Sequence, residues 1–171
     1  MISETTTLLL ELAIIGEASS RDFYEGLAKK FCREKNISAF WQNMAEDETR
    51  HIETLEGLRH YLSPDKLSAP AEQDIFQTAL ENSKIHTSDV LNMVKNLNDA
   101  YVLAMLWENS EINRVFECLI NQYMPTGADG RSIRLHLMTH KKKLQAFLYA
   151  FGEAETRKNI GTADEQHLPY E

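Results

Sequence analysis

One helical phrase occurs twice in this chain. Near the start stands Ala13-Ile14-Ile15-Gly16-Glu17, and Glu48-x-x-His51 follows about thirty residues later. Past the middle stands Ala104-Met105-Leu106-Trp107-Glu108, and His136-x-x-x-His140 follows at a similar distance. A lone Glu and then an acid/His pair, used twice, is how a four-helix bundle assembles a two-metal site.

The surrounding pattern is helical. Only 7 Gly and 4 Pro interrupt 171 residues, a length that suits one domain with a sizeable core. Helix one is expected from Glu4 to Arg33, where Leu8, Leu9, Leu12, Ile15, Phe23, Leu27, Ala28 and Phe31 recur at spacings of three and four. Ser3 is a candidate cap for its start. Helix two is expected from Ile37 to Leu62, with Trp41, Met44, Ala45, Leu55 and Leu58 inward and Asn36 as a stop or cap before it. Ser63-Pro64-Asp65 ends it.

Residues 63 to 73 read as a connection, and residues 74 to 95 as two short helices around Ile75–Leu80 and Val90–Val94. So long a crossover joins parallel neighbours. Helix three is expected from Leu97 to Tyr123, and helix four from Arg131 to Phe151 after the turn cluster Pro125–Gly130. The fold class is therefore all-α, a four-helix bundle over residues 1–152. Residues 153–171 lose apolar periodicity and read as a loosely ordered C-terminal tail.

Charge and cysteine usage narrow the function. The formal net charge of −8 disfavours nucleic acid and anionic membranes as partners. No apolar run reaches the roughly 18 residues of a membrane span, and Met1–Thr7 lacks the basic region of a signal peptide. Cys32 and Cys118 sit in helical patterns and form no CxxC, which fits core packing and a reduced cytoplasmic setting.

Glu48 and His51 lie three apart on one helix, so both project from the face that carries Met44 and Leu55. Glu17 faces inward among Ala13, Ile14 and Ala18. A buried carboxylate must be paired, protonated or metal-bound, and carboxylates with an imidazole suit iron or manganese. In the second half the acidic position three before His140 is Leu137, while His136 stands four before it and shares its face. The candidate ligands are Glu17, Glu48, His51, Glu108, His136 and His140.

Other polar and aromatic residues have simpler readings. Lys141-Lys142-Lys143 reads as a solvated stretch, and His60, His86 and His167 as surface residues. Trp41 and Trp107 read as core. Tyr24 and Tyr101 are candidate hydrogen-bond donors to a ligating carboxylate, with an ordinary core role as the simpler reading.

Through Ala13-Ile14-x-x-Glu17, Phe23-Tyr24, Asp47-Glu48-x-x-His51 and Ala104-Met105-x-x-Glu108, the chain resembles the rubrerythrin-like branch of the ferritin-like superfamily. The resemblance spans residues 4 to 151. It implies a ferritin-like bundle that binds iron and reacts with peroxide or dioxygen, a peroxidase-type oxidoreductase. Glu17 and His51 would hold one iron, Glu108 and His140 the other, with Glu48 bridging. Leu137 removes the second bridge, so two irons are expected if His136 compensates and one if that half-site is lost. Manganese or zinc also suits the set. The rubredoxin-like CxxC…CxxC domain of many relatives is missing from the sequence, so a separate electron-donor protein is implied, and such bundles often pair as homodimers. Two alternatives stay open: a protein that sequesters metal without turnover, and a degenerate bundle that serves as a structural or interaction module.

Overall fold

The computed structural model describes residues 4–108, 111–124 and 142–147. Within them the chain forms α1 (Thr6–Lys30), α2 (Lys35–Tyr61), α3 (Pro64–Ser68), α4 (Gln73–Asn82), α5 (Thr87–Met93), α6 (Leu97–Glu108) and α7 (Glu111–Tyr123). A further helical segment covers residues 142–147. Every element among the described residues is helical, as the periodicity predicts, and the architecture is the all-α ferritin-like bundle that the resemblance implies.

α1 starts two residues later than a Ser3 cap requires. Thr5 is its N-cap, extended at φ −96° and ψ 161°, and its side chain accepts from the Leu8 amide at 3.4 Å. The chain reverses after Phe31, where the Ser38 hydroxyl donates to the Ala28 carbonyl at 2.9 Å and joins the first turn of α2 to the last turn of α1. Asn36 lies inside α2 rather than at its end, because Glu34 occupies the N-cap position. The expected third helix is helical on both sides of residues 109 and 110, as α6 and α7, with those two residues outside the described set.

Side-chain contacts give the directions of the helices. Tyr24 meets Trp41 and Glu17 meets His51, so α1 and α2 are antiparallel. Tyr24 meets Glu108 while Thr6 meets Tyr123, so α6 and α7 also run against α1. α2 is therefore parallel to α6 and α7, as a long crossover requires. Lys143 meets Asp47 and Phe147 meets Phe40, so the 142–147 segment is antiparallel to α2.

The crossover is tied along α1. At one end Thr6 donates its amide to Ala69 at 2.9 Å and Ala71 donates to Glu4 at 2.8 Å. The buried Thr6 hydroxyl lies 3.3 Å from the Ala69 carbonyl and 3.1 Å from the Tyr123 hydroxyl, linking α1, the crossover and α7. At the other end Lys30 donates to the Leu91 carbonyl at 2.9 Å. Gly26 permits that approach, since a Cβ there would stand 2.3 Å from a Leu91 methyl.

Two apolar clusters fill the interior. One joins Leu9, Leu10, Leu12 and Ala13 of α1 to Leu55 and Leu58 of α2, α4 and α7. The other joins Phe23, Tyr24 and Leu27 of α1 to Trp41, Met44 and Ala45 of α2, α6 and the 142–147 segment. Two expected core residues fall outside them. Ile15 is 47% exposed on the outer side of α1. Cys32 is exposed in the turn after α1, whereas Cys118 packs partly buried against the first cluster. A period of three and four marks one stripe of a helix, and both residues sit off it.

Candidate metal centre

The break between the two apolar clusters is where the candidate ligands lie. On α1 the clusters end at Ala13 and resume at Phe23, with Glu17 between them. On α2 they end at Ala45 and resume at Leu55, with Glu48 and His51 between. On the third helical row Trp107 belongs to one cluster and Val115 to the other, and Glu108 stands at the junction. A polar layer is thus set across the middle of the bundle.

All four side chains are buried, with exposures of 1% for Glu17, 2% for Glu48, 3% for His51 and 2% for Glu108. Glu17, Glu48 and His51 form one cluster whose ligand atoms all lie within 4.8 Å of one another. His51 Nδ1 is 2.8 Å from Glu48 Oε2 and 3.1 Å from Glu17 Oε2. The Phe116 ring of α7 packs on the imidazole with centroids 4.5 Å apart, an apolar wall beside the site. Burial alone would lower the His51 pKa, but hydrogen bonds from Glu17 and Glu48 outweigh it and lift the imidazole to about 9.

Glu108 joins through a tyrosine. The Tyr24 hydroxyl donates to Glu108 Oε1 at 2.5 Å, and both side chains are buried. Burial raises the Tyr24 pKa well above its ordinary value, and the charges of Glu108, Glu48 and Glu17 raise it further. All three carboxyl groups therefore act on one phenol. Tyr24 is both a core residue and a donor to a candidate ligand. One turn from it, Trp107 donates its indole N–H to the Ser20 hydroxyl at 2.8 Å, which fixes α6 against α1 next to Glu108.

Two carboxyl groups and one imidazole that meet in a buried layer fit a divalent cation. Such a set is costly to bury unless a positive charge sits among it, and its oxygen and nitrogen donors suit iron, manganese or zinc. His136, His140 and the departure at Leu137 lie outside the described residues; among the described ones the structure groups Glu17, Glu48 and His51, and holds Glu108 on Tyr24 outside that group.

Beside the site lies an arrangement that spacing alone does not reveal. Asp47 is 1% exposed, its carboxylate bonded to Arg50 Nη1 at 2.5 Å and to the ammonium of Lys143. Lys143 is thus not simply solvated: its stem lies on the surface and its charge is tied to a buried acid. The signal was present as Asp47 on the inward face next to Glu48. His60 and His86 are exposed, as expected, and His167 lies outside the described residues.

Comparison with known proteins agrees with this geometry. A sequence model of the rubrerythrin family matches residues 9–123. No curated protein and no solved structure gives a match. No helix among the described residues is long and apolar enough to cross a membrane.

Proposed function

The chain belongs to the rubrerythrin family, and from that premise we propose that it is a non-haem iron protein whose buried site reduces peroxide or reacts with dioxygen. The observation that carries this reading is the meeting of Glu17, Glu48 and His51 from two helices within 4.8 Å, in the layer between two apolar clusters.

In this reading Glu17, Glu48 and His51 would hold one ion, and Glu108 with His140 would hold the other. His136 supplies a nitrogen where Leu137 replaces the acid. Iron bound there supplies a one-electron couple and an open position for the oxidant. The protein's own part is positioning and exclusion of water. Tyr24 holds the Glu108 carboxylate toward the site and, with its raised pKa, keeps its proton. Phe116 closes one side with an apolar ring. His51 must give up the proton that now bonds Glu17 and Glu48 before it can ligate. The electrons are proposed to come from a separate protein.

A second reading, metal held without turnover, is favoured by Leu137, which leaves the second half-site one carboxylate short. The third, a module without metal, draws on the hydrogen bond between His51 and Glu17 and the ion-pair contact between His51 and Glu48. Anaerobic loading with Fe(II) followed by metal analysis separates them. The proposal expects bound iron that peroxide oxidises and a donor re-reduces. Glu48→Ala is expected to abolish binding at the first position, and unchanged iron content in that variant would remove the assignment. Iron that binds but never cycles supports the second reading, and absence of iron the third.

A further inference from the structure

We propose that Trp41 is a one-electron relay between the metal site and the protein surface. The inference rests on reading the site as an iron centre and adds the route by which its electrons arrive.

Trp41 is fully buried and lies nearly parallel to Tyr24, with ring centroids 5.9 Å apart and planes at 10°. Tyr24 is in turn bonded to Glu108 at 2.5 Å. On its other side Trp41 meets Phe40 at 4.9 Å and Phe147 at 5.3 Å. Those two rings line an open groove of about 470 Å³ whose rim carries Arg50 and Lys143. Site, tyrosine, indole and groove are therefore consecutive neighbours. While the Tyr24 phenol keeps its proton the indole is the more readily oxidised of the two rings, and phenylalanine is not oxidised under the same conditions.

The two tryptophans differ in a way that singles out Trp41. Trp107 is stacked on Phe23 at 4.8 Å and gives its N–H to Ser20. Phe23 stands between its stacked face and Tyr24. The Nε1–H of Trp41 finds no acceptor among the described residues. Burying an indole N–H unbonded costs about 1–3 kcal/mol, a cost that a phenylalanine at this position would not carry.

The electrons balance as follows. Hydrogen peroxide takes up two electrons and two protons and leaves as two waters. Each electron passes from Trp41 through the Tyr24 ring and its hydrogen bond toward the site. The indole radical cation left behind recovers one electron from a one-electron carrier at the groove. Two such passages complete one turnover.

The test uses the full chain, loaded anaerobically with one Fe(II) per chain and mixed with one equivalent of hydrogen peroxide in the absence of reductant, so that iron supplies one of the two electrons and the protein must supply the other. Samples with ordinary and ring-deuterated tryptophan are frozen and read by electron paramagnetic resonance. A tryptophan radical is expected in the native protein and in Trp107→Phe, and not in Trp41→Phe. Trp41→Tyr is expected to show a tyrosyl signal instead. Peroxide consumption with reduced methyl viologen as the electron donor is expected to slow at least tenfold in Trp41→Phe and to recover in Trp41→Tyr. Thermal melting and iron content show that each variant is folded and loaded. If iron is bound and oxidised but Trp41→Phe matches the native signal and rate, the relay is overturned and the iron reading stands. If no iron binds, or peroxide leaves it as Fe(II), both are overturned.

Discussion

The hydroxyl of Tyr24 on α1 lies 2.5 Å from Oε1 of Glu108, 84 residues further along the chain. This bond brings the second glutamate of the repeated phrase to the same interior layer as the first. Tyr24→Phe keeps the ring and removes the donor. A hydrogen bond to a charged group contributes about 1.5–3 kcal/mol, so the metal-free variant is expected to lose stability of that order in urea unfolding. Fe(II) should narrow the gap, because a cation replaces the lost donor. Equal destabilisation with and without metal would separate Glu108 from the site.

The pH dependence of the metal-free protein follows from His51. Its folded pKa of about 9 exceeds the ordinary value of 6.5, so the proton is bound more tightly in the native state. That contribution to stability is fully present below about 6.5 and is lost as pH rises toward 9. Fe(II) affinity should move the other way, rising up to about tenfold per pH unit below 9 as the competing proton leaves. Thermal melts and Fe(II) titrations from pH 6 to 9 measure the two trends, and a pH-independent affinity would exclude His51 as a ligand.

Asp47 and Lys143 join α2 to the 142–147 segment through a buried carboxylate and a partly exposed ammonium. Lys143→Met keeps most of the stem and removes the charge. Because the lysine is 38% exposed, solvent screening limits the cost to about 1–2 kcal/mol, below that of a fully buried pair. Hydrogen exchange should quicken in residues 142–147 and remain unchanged at the start of α1. Faster exchange throughout would mean global destabilisation rather than release of that segment.

Leu137 stands where the repeat calls for an acid, three residues before His140. Leu137→Glu is expected to raise the bound Fe(II) per chain, since it returns the missing carboxylate to the second half-site. Metal analysis after anaerobic loading decides. No increase would mean that helix four does not hold the register proposed for it.

Glu17, Glu48 and His51 could be read directly from the chain because each is a polar residue on an otherwise apolar helical stripe. The ExxH spacing places two of them on one face whatever that helix packs against. The two short crossover helices and the parallel arrangement they serve were legible for similar local reasons. Ile15 and Cys32 were misread because the same periodicity does not say where a stripe ends or where a turn begins.

Although α3 at Pro64–Ser68 falls where only a connection was expected, the amino-acid order by itself determined the long helices and their order, and that Glu17, Glu48 and His51 face inward. These follow from a period of 3.6 residues and from the cost of exposing apolar surface. Only the tertiary structure decided which partners those side chains have. Tyr24 reaches Glu108, Asp47 draws in Lys143, and Trp41 lies between Tyr24 and a surface groove. Each of these depends on residues far apart in sequence meeting across the bundle, and helical periodicity carries no information about which helix stands opposite or at what height.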